Sequence, residues 1–470
     1  MSEKTNLTKR AARLAVFTVG GGVALTFAMA NAASADDVTV QDANVTNAGA
    51  AAANSGGNIA VGNASHNTAH NDQTATGLIA SNNGTATNSS TGTATITTGQ
   101  ATATGSEAAT SVDQSTQGDG GPGLDVAVQD ADVINAGVAA SNSGGNIAVG
   151  NASRNRARND QDATGAVASN IGGASNTSDG SATITTGAAT ATGNKSVTGV
   201  KQSATDTGAP GPGLGLVVQT SDVLNLGAAA ANSGGNIGIG NASRNRARND
   251  QDATGLFASN NGSASNKSDG KATITTGAAT ATGNQSATNV DQAAKAAGGP
   301  GLSLVFQDSD VLNLGVAAAN TGGNIGIGNL SRNRAVNDQD AFGLLGGSNV
   351  GGASNESHGT SSIATGAATA TGNQSVTGVK QGADPGPGGL NVVVQHAPVI
   401  NAGLGVANTG LNIGVANFSH NTEILAQVSF GLLASNVGTS SNLSDGFTLV
   451  LTGAATGVGN QSATTVEQDA

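Results

Sequence analysis

Alternation with a period of two is the clearest pattern of polar and apolar positions along this chain. In residues 151–163 the odd positions carry Asn, Ser, Ala and Gln, whereas the even positions from 154 carry Arg and Asp. Alternate side chains of a strand point to opposite faces, so the pattern predicts a strand with one small, amide-bearing face and one charged face. Residues 241–253 show the same division.

The two faces of these strands supply the residues to which we assign structural roles. On the inner face we expect the amides of stacked strands to bond one another in ladders. The ladder candidates here are Asn151, Asn155, Asn159, Gln161, Asn241, Asn245, Asn249 and Gln251. The charged outer face comprises Arg154, Arg156, Arg158, Asp160, Asp162, Arg244, Arg246, Arg248, Asp250 and Asp252. We expect its opposite charges to pair between neighbouring rungs, each exposed pair contributing about 0–1 kcal/mol.

A fivefold repeat organises the chain. Its marker glutamines, at spacings of 88, 90, 88 and 88 residues, are Gln41, Gln129, Gln219, Gln307 and Gln395. Six of the seven prolines lie at the repeat junctions and only Pro398 lies inside a repeat, as expected for hydrogen-bonded strands. The predicted segments are a signal peptide at 1–35 and repeats at 36–120, 121–210, 211–298, 299–385 and 386–470.

These features predict an all-β, repetitive β-solenoid of stacked two-sheet coils, built from five repeats of about 88 residues. Helix is disfavoured because glycine is frequent and no 3.6-residue apolar stripe is sustained. We expect each repeat to divide into four coils of roughly 22 residues, so that some 20 rungs make a rod on the order of 95 Å long. The alternative is low-complexity disorder, against which the strict phase of the repeats argues.

The amino-acid composition limits the kinds of functional site that the chain can form. The chain has 72 glycines, eight phenylalanines and no cysteine, tryptophan or tyrosine, which excludes disulfides and thiolate sites. His66 and His70 would lie about 13 Å apart on one strand face, too far to share a metal. Asp160 and Asp162 could alternatively supply oxygen ligands to calcium, and no nucleophile elbow or phosphate loop is present. We therefore expect no catalytic, cofactor-binding or metal site, and no cofactor.

The N-terminus predicts export. Basic residues up to Arg13 precede an apolar stretch over 14–30 and the small-residue run 32–35, which is typical of a signal peptide; an uncleaved membrane anchor is the alternative. Removing residues 1–35 takes away four bases and Glu3, so the net charge changes from −12 to −15. We expect a secreted, extracellular protein associated with the cell surface or wall, without a membrane span after cleavage and without nucleic acid as a partner.

Residues 282–293, Thr-Gly-Asn-Gln-Ser-Ala-Thr-Asn-Val-Asp-Gln-Ala, resemble a curlin-type repeat of bacterial amyloid fibre subunits. Matching segments begin at Gly193, Gly372 and Gly459, although the interval from Gly to Gln is two residues longer than in that family. The resemblance implies that Asn284 and Gln292, and their counterparts in the matching segments, are inward ladder amides. Residues 146–153 are also similar to the head repeats of trimeric surface adhesins. Both resemblances imply surface fibres or adhesion.

The sequence thus favours a non-enzymatic structural protein of the cell surface that self-associates into fibres or an adhesive layer. The alternative is a secreted ligand-binding module for ice or carbohydrate. Thr-x-Thr pairs such as Thr190/Thr192 resemble ice-binding rows, but on coils of 22 residues they would leave gaps. In the last repeat apolar residues replace charged or small ones at Ile424, Leu425, Val428, Phe430, Leu432 and Leu433. We expect this repeat to be a cap or an assembly interface; the alternative is a terminal repeat whose sequence has merely drifted.

Overall fold

The computed structural model describes residues 37–118, 124–205, 214–295, 301–384, 386 and 389–470. The predicted signal peptide at 1–35 and the six junction prolines lie outside the described residues. Strands joined by turns make up the described ranges, which contain no helix. A search of those ranges accordingly finds no helix with the length and hydropathy needed to cross a membrane.

The strands form successive layers, which we define by their pairing. The first layer contains β1 (Asp37–Asn54), β2 (Ile59–Asn83), β3 (Ala86–Thr97) and β4 (Ala101–Gln117). The second contains β5 (Leu124–Asn142), β6 (Ile147–Ile171), β7 (Ala174–Thr185) and β8 (Ala189–Thr205). The third contains β9 (Leu214–Asn232), β10 (Ile237–Asn261), β11 (Ala264–Thr275) and β12 (Ala279–Lys295). The fourth contains β13 (Leu302–Asn320), β14 (Ile325–Ala364) and β15 (Ala368–Asp384). The fifth contains β16 (Leu390–His396), β17 (Val399–Asn408), β18 (Ile413–Phe430), β19 (Leu433–Leu451) and β20 (Ala455–Asp469).

Each strand pairs in parallel with its counterpart in the next layer. One sheet has the order β1-β5-β9-β13-β16, with β17 also on β13. A second runs β2-β6-β10-β14-β11-β7-β3, with β18 and β19 on β14, and a third runs β20-β15-β12-β8-β4. The register places like residues together, as in the pairs Gln41 with Gln129 and Gln307 with Gln395.

The expected two-sheet coils of about 22 residues are wrong. The strands form three hydrogen-bonded sheets, and the bonded side chains Gln41 and Gln129 are 88 residues apart. The strands are 7 to 40 residues long, and each pairs with a strand 87 to 90 residues along the chain rather than about 22. Five layers at about 4.8 Å therefore replace the expected rod of some 20 rungs, and the stack is only about 24 Å deep.

Within a layer the chain folds as an arch with two facing walls. The first wall is β1 with the beginning of β2; the second is the end of β2 with β3 and β4. Hydrogen bonds cross the interior from Asn63 Nδ2 to Ser90 Oγ (2.8 Å) and from Asn47 Nδ2 to Thr110 Oγ1 (2.9 Å). Near the reversal at Gly77, Gln73 Nε2 donates to the Asn83 carbonyl (3.3 Å). The interior is therefore a thin seam between two walls.

Small side chains let the walls approach closely. One buried cluster consists entirely of alanine, contributed by β4, β5 and their counterparts in the layers above. The largest fully buried side chains are isoleucines and glutamines, including Ile184 and Ile274. Few large apolar groups are buried. The stabilisation from burying apolar surface therefore comes from many small contacts rather than from a conventional core of large side chains.

Glycines lie where the two backbones meet. A Cβ on Gly137 would lie 1.9 Å from the Gly193 carbonyl oxygen, and one on Gly180 would lie 2.0 Å from that of Gly240. No side chain fits at either contact. Gly145 has a φ of 77° and ends the extended path between β5 and β6. This turn interrupts the first wall, and residues 186–188 between β7 and β8 interrupt the second, so the two walls divide into three sheets.

Candidate functional site in the amide ladders and the outer face

Carboxamides stack through the interior as continuous ladders. Asn241 Oδ1 accepts from Asn151 Nδ2 (3.0 Å), and Asn241 Nδ2 donates to Asn329 Oδ1 (3.0 Å). Gln251 Nε2 donates to Gln161 Oε1 (2.7 Å) and Gln251 Oε1 accepts from Gln339 Nε2 (2.7 Å). The structure places every ladder candidate in this interior at 1 % exposure or less: Asn151, Asn155, Asn159, Gln161, Asn241, Asn245, Asn249, Gln251, Asn284 and Gln292.

Bonds across the seam satisfy the remaining amide hydrogens. Asn241 Nδ2 also reaches Ser268 Oγ (2.9 Å) on the facing wall, and Gln292 Nε2 reaches the Asp308 carbonyl (2.9 Å). A buried amide without a partner costs roughly 1–3 kcal/mol, whereas each completed bond contributes about 1 kcal/mol net. Asn194 shows the effect of an interrupted ladder. Its Oδ1 is buried without a partner because Ser106 occupies the matching position of the first layer.

The ladders have a direction. Most asparagine ladders donate from the first layer toward the fifth, as Asn63 does to Asn151 (2.9 Å). The glutamine ladders donate the other way, as Gln129 does to Gln41 (2.8 Å). The corner ladder starting at Asn54 is an asparagine ladder that runs with the glutamines. Each ladder therefore presents a donor at one end of the stack and an acceptor at the other.

Several further ladders were not assigned from the sequence. They lie outside the charged runs 151–163 and 241–253: on other strands, in the turns before β6 and β10, and near the ends of these two strands. The spacing of 88 to 90 residues that separates their members was the available signal. The additional ladder residues of the second and third layers are Gln129, Asn135, Asn142, Asn146, Asn170, Asn176, Gln219, Asn225, Asn232, Asn236, Asn260 and Asn266.

The outward side chains of β6 and β10 include all ten predicted charged residues, but the expected pairing between rungs is wrong. Arg158 pairs with Asp160 (2.6 Å) and Arg248 pairs with Asp250 (2.7 Å), both within one strand. Parallel in-register pairing instead puts like charges side by side. The columns formed by adjacent layers are Arg154/Arg244/Arg332, Arg156/Arg246/Arg334, Asp160/Asp250/Asp338 and Asp162/Asp252/Asp340.

Partial burial and the columns of like charge shift the pKa values of side chains on this face. Burial, followed by repulsion from Asp250 and Asp340, raises the pKa of Asp252 to about 6. Burial and neighbouring aspartates also raise the pKa of Asp162. Burial and the arginines above and below lower the pKa of Arg246. Charge on this face is thus held at an electrostatic cost.

Histidines group with acids elsewhere on the surface. His358 bonds to Glu356 (2.6 Å) and to Asp445 in the fifth layer, and these hydrogen bonds raise its pKa. His396 lies near Asp308 and Asp310, and their ligand atoms fall within 4.8 Å of one another, the spacing that a metal ion would need. The sequence did not predict this group. His396 is 67 % exposed, so the group is an open surface feature.

The fifth layer departs from the ladder pattern in its interior. Glu423 stands opposite Ala335, and Leu425 stands opposite Asn337. Glu423 Oε2 is buried without a hydrogen-bond partner, and Leu425 packs against the interior alanine cluster that includes Ala335. A charged group and an apolar group therefore replace an alanine and an amide at this end of the stack.

Comparison of the chain with known protein families, curated proteins and solved structures finds no match. Its function is therefore inferred from the strands, ladders and surfaces themselves.

We expect Gln251→Leu to destabilise the fold strongly. The change leaves the buried Gln161 Oε1 without a donor and removes the 2.7 Å acceptor of Gln339 Nε2, which keeps only longer bonds to the Gly262 and Val350 carbonyls, at a total cost of about 2–4 kcal/mol. Gln285→Leu is the matched control, because Gln285 is exposed and, among the described residues, its side chain bonds only to Gln374, at 3.3 Å. The midpoint of guanidinium denaturation measures both. Equal shifts for the two variants would contradict the role of the ladders.

We expect Asp252→Asn to raise stability at neutral pH. The folded chain holds the proton of the Asp252 carboxyl more strongly than the unfolded chain, since folding raises its pKa from 3.8 to about 6. The contribution of this carboxyl to the free energy of unfolding is therefore greatest below about pH 4 and is lost as the pH rises through about 6. Denaturation midpoints should match wild type at pH 4 and exceed it at pH 7. Asp291→Asn is the control, because Lys201 and Lys380 flank Asp291; it should give no gain at pH 7.

Proposed function

We propose that this chain is a secreted, non-enzymatic structural protein of the cell surface whose copies associate into fibres or an adhesive layer. The observation that carries the proposal is that both ends of the stack expose unpaired strand edges. Within the described residues, the strands of the first and fifth layers have a parallel partner on one side only. Such edges present unpaired backbone groups that recruit further strands.

The ladder directions make the two ends complementary. At the first layer Asn63 offers an acceptor and Gln41 a donor; at the fifth, Asn417 offers a donor and Gln395 an acceptor. Stacking a first layer in register on a fifth layer continues both kinds of ladder. Joining two like ends sets donors against donors. The assembly we propose is therefore polar and runs head to tail.

Repetition in the sequence supports the same assembly. We infer that each of the five repeats of about 88 residues forms one layer, so that a neighbouring copy extends the same solenoid. The curlin-like segments, such as residues 282–293, lie on the ladder-bearing strands β8, β12, β15 and β20. In this proposal Asn284 and Gln292 belong to ladders that pass from copy to copy.

Glu423 and Leu425 oppose uncontrolled growth. Stacking a further first layer would sandwich the Glu423 carboxylate between Ala335 and Ala69, the alanine of that column in the first layer. Inward-pointing charges are a known means of protecting strand edges. The fifth layer is thus a partial cap, which slows end-to-end contact while leaving most ladders able to continue.

Restoring the repeat pattern should accelerate assembly. We expect the double variant Glu423→Ala/Leu425→Asn to form fibres with a lag at least about tenfold shorter, since even 1.4 kcal/mol less desolvation cost is a factor of ten. Thioflavin T fluorescence and electron microscopy of the secreted chain measure the lag and the product.

The matched control removes the same chemical groups from the outside of the same layer. Glu467 and Leu443 are exposed, so Glu467→Ala/Leu443→Asn should leave the lag near that of wild type. If neither wild type nor Glu423→Ala/Leu425→Asn assembles on prolonged ageing, the proposed function fails.

One surface favours a second candidate function, ice binding. Because a layer spans about 88 residues rather than 22, Thr-x-Thr recurs in each of the first four layers on the outer face of the third sheet, and Val458 interrupts it in the fifth. Thr190 stacks between Thr102 and Thr280, and Thr192 stacks between Thr104 and Thr282. Thr369 and Thr371 continue the two columns in the fourth layer. The result is a regular, flat array of hydroxyl and methyl groups.

An ice-recrystallisation assay tests this candidate. If the array binds ice, the secreted chain should suppress crystal growth, and Thr190→Lys/Thr280→Lys should abolish the effect because two long side chains interrupt the flat surface. Thr177→Lys is the control, since Thr177 lies on a different outer face beside Lys267. No suppression by wild type would eliminate ice binding.

A further inference from the structure

The charged outer face has a second regularity, which concerns order along the strand. On β6 the outward residues run Ala152, Arg154, Arg156, Arg158, Asp160, Asp162 and Thr164. Reversing the strand about Arg158 exchanges Arg154 with Asp162 and Arg156 with Asp160. The charges therefore invert about this point. The same exchange on β10 and β14 relates Arg244 to Asp252, Arg246 to Asp250, Arg332 to Asp340 and Arg334 to Asp338.

The sizes of the outward side chains at the two ends of this segment follow the same symmetry. Leu330 and Phe342 lie at the two exchanged ends of β14, and they are 37 % and 46 % exposed. Phe418 and Phe430 hold these places in the fifth layer and are 68 % and 66 % exposed. In the first three layers the side chains at both of these end positions are small. The exchanged pairs there are Ala64 with Thr76, Ala152 with Thr164 and Ala242 with Thr254.

Most arginines of this face lack a carboxylate partner within the described part of the chain. Among the described residues, only Arg158 and Arg248 have a carboxylate within 4.0 Å. The arginines without one are Arg154, Arg156, Arg244, Arg246, Arg332 and Arg334. Columns of like charge about 4.8 Å apart repel, and an opposite column placed over them would relieve that repulsion.

We propose that a second copy of this chain docks on this outer face, related by a two-fold axis parallel to the stacking direction and passing beside Arg158. The rotation reverses the strands but keeps the layers level. Arg154 then faces Asp162 of the second copy, and Phe418 faces Phe430. At the centre, Arg158 is already neutralised by Asp160. The interface is isologous, so every favourable pair occurs twice.

The size of the face suits a specific contact. Thirteen residues along the strand and five layers cover about 1,000 Å² per copy, compared with the roughly 800 Å² that each partner contributes in a standard interface. A linear polyanion is the competing occupant, but it would cross the aspartate columns beside the arginines and be repelled. A second copy matches both columns at once. The pairing deepens the proposed self-association and rests on it, yet it needs no end-to-end contact.

Complementary charge reversals provide the test. One variant carries Arg154→Glu, Arg244→Glu and Arg332→Glu; the other carries Asp162→Lys, Asp252→Lys and Asp340→Lys. Each alone sets like charges against like charges, so self-association should weaken at least about 100-fold. An equimolar mixture should recover dimers, because the acidic face of one variant meets the basic face of the other. Circular dichroism checks that both variants are folded.

Sedimentation velocity of freshly purified full chains measures the pairing. We expect wild-type dimers at low ionic strength that dissociate at high ionic strength, since exposed charges are screened. The control, Lys195→Glu/Lys271→Glu/Lys295→Glu, reverses three charges on other faces and should dimerise like wild type. A folded pair of variants that stays monomeric when mixed overturns the proposal, and so does wild-type protein that is monomeric at low ionic strength.

Fibre growth separates this inference from the proposed function. If the variants grow fibres with half the wild-type mass per length, both the stacking and the lateral pairing hold. If wild type dimerises but never forms fibres, end-to-end stacking fails and the lateral pairing stands. Binding of heparin, a sulfated polyanion, by a wild-type protein that does not dimerise would overturn the second-copy docking in favour of a polyanion.

Discussion

The structure depends on one requirement, that every carboxamide buried between the walls must find a hydrogen-bond partner in the next layer. An asparagine in the seam has no water available, and the facing wall satisfies only part of its bonding capacity. Its remaining donor or acceptor is met by the identical residue one layer away, as Asn245 meets Asn333 at 3.0 Å. In-register parallel stacking follows, because a shift by one residue would turn every amide to the outside. The nearly constant spacing of the marker glutamines, 88 to 90 residues, reflects this requirement in the sequence.

A polar seam changes the balance of stabilising forces. Alanine clusters and isolated isoleucines bury modest apolar area, so the layers are held by many bonds of similar small value. Close contact between the walls needs glycine on both sides, as at Gly137 and Gly193. Where the pattern is broken the effect is local. Ser106 leaves one buried oxygen unpaired, and Glu423 leaves another.

The alternation along residues 151–163 was enough to predict strands and an interior of amides, because a period of two has one structural meaning. The length of the coil was not predictable in the same way. Gly77 reverses the chain and Gly57 turns the wall, yet the sequence offers glycines at both kinds of place without distinguishing them. The expectation that Arg154 would pair with an aspartate of the next rung failed for a clear reason. In-register stacking of β6, β10 and β14 puts arginine beside arginine, so on this face opposite charges meet along a strand or across to another molecule.

The long interval between bonded residues also has a kinetic meaning. Each ladder bond closes a loop of about 88 residues, as between Asn47 and Asn135. The entropy of closing such a loop is about 4 kcal/mol beyond a constant, and none of it is recovered until two complete arches lie together. Folding dominated by such distant contacts is slow to begin. Once two arches have joined, they present a finished template, and each later arch adds to a surface that already specifies its register.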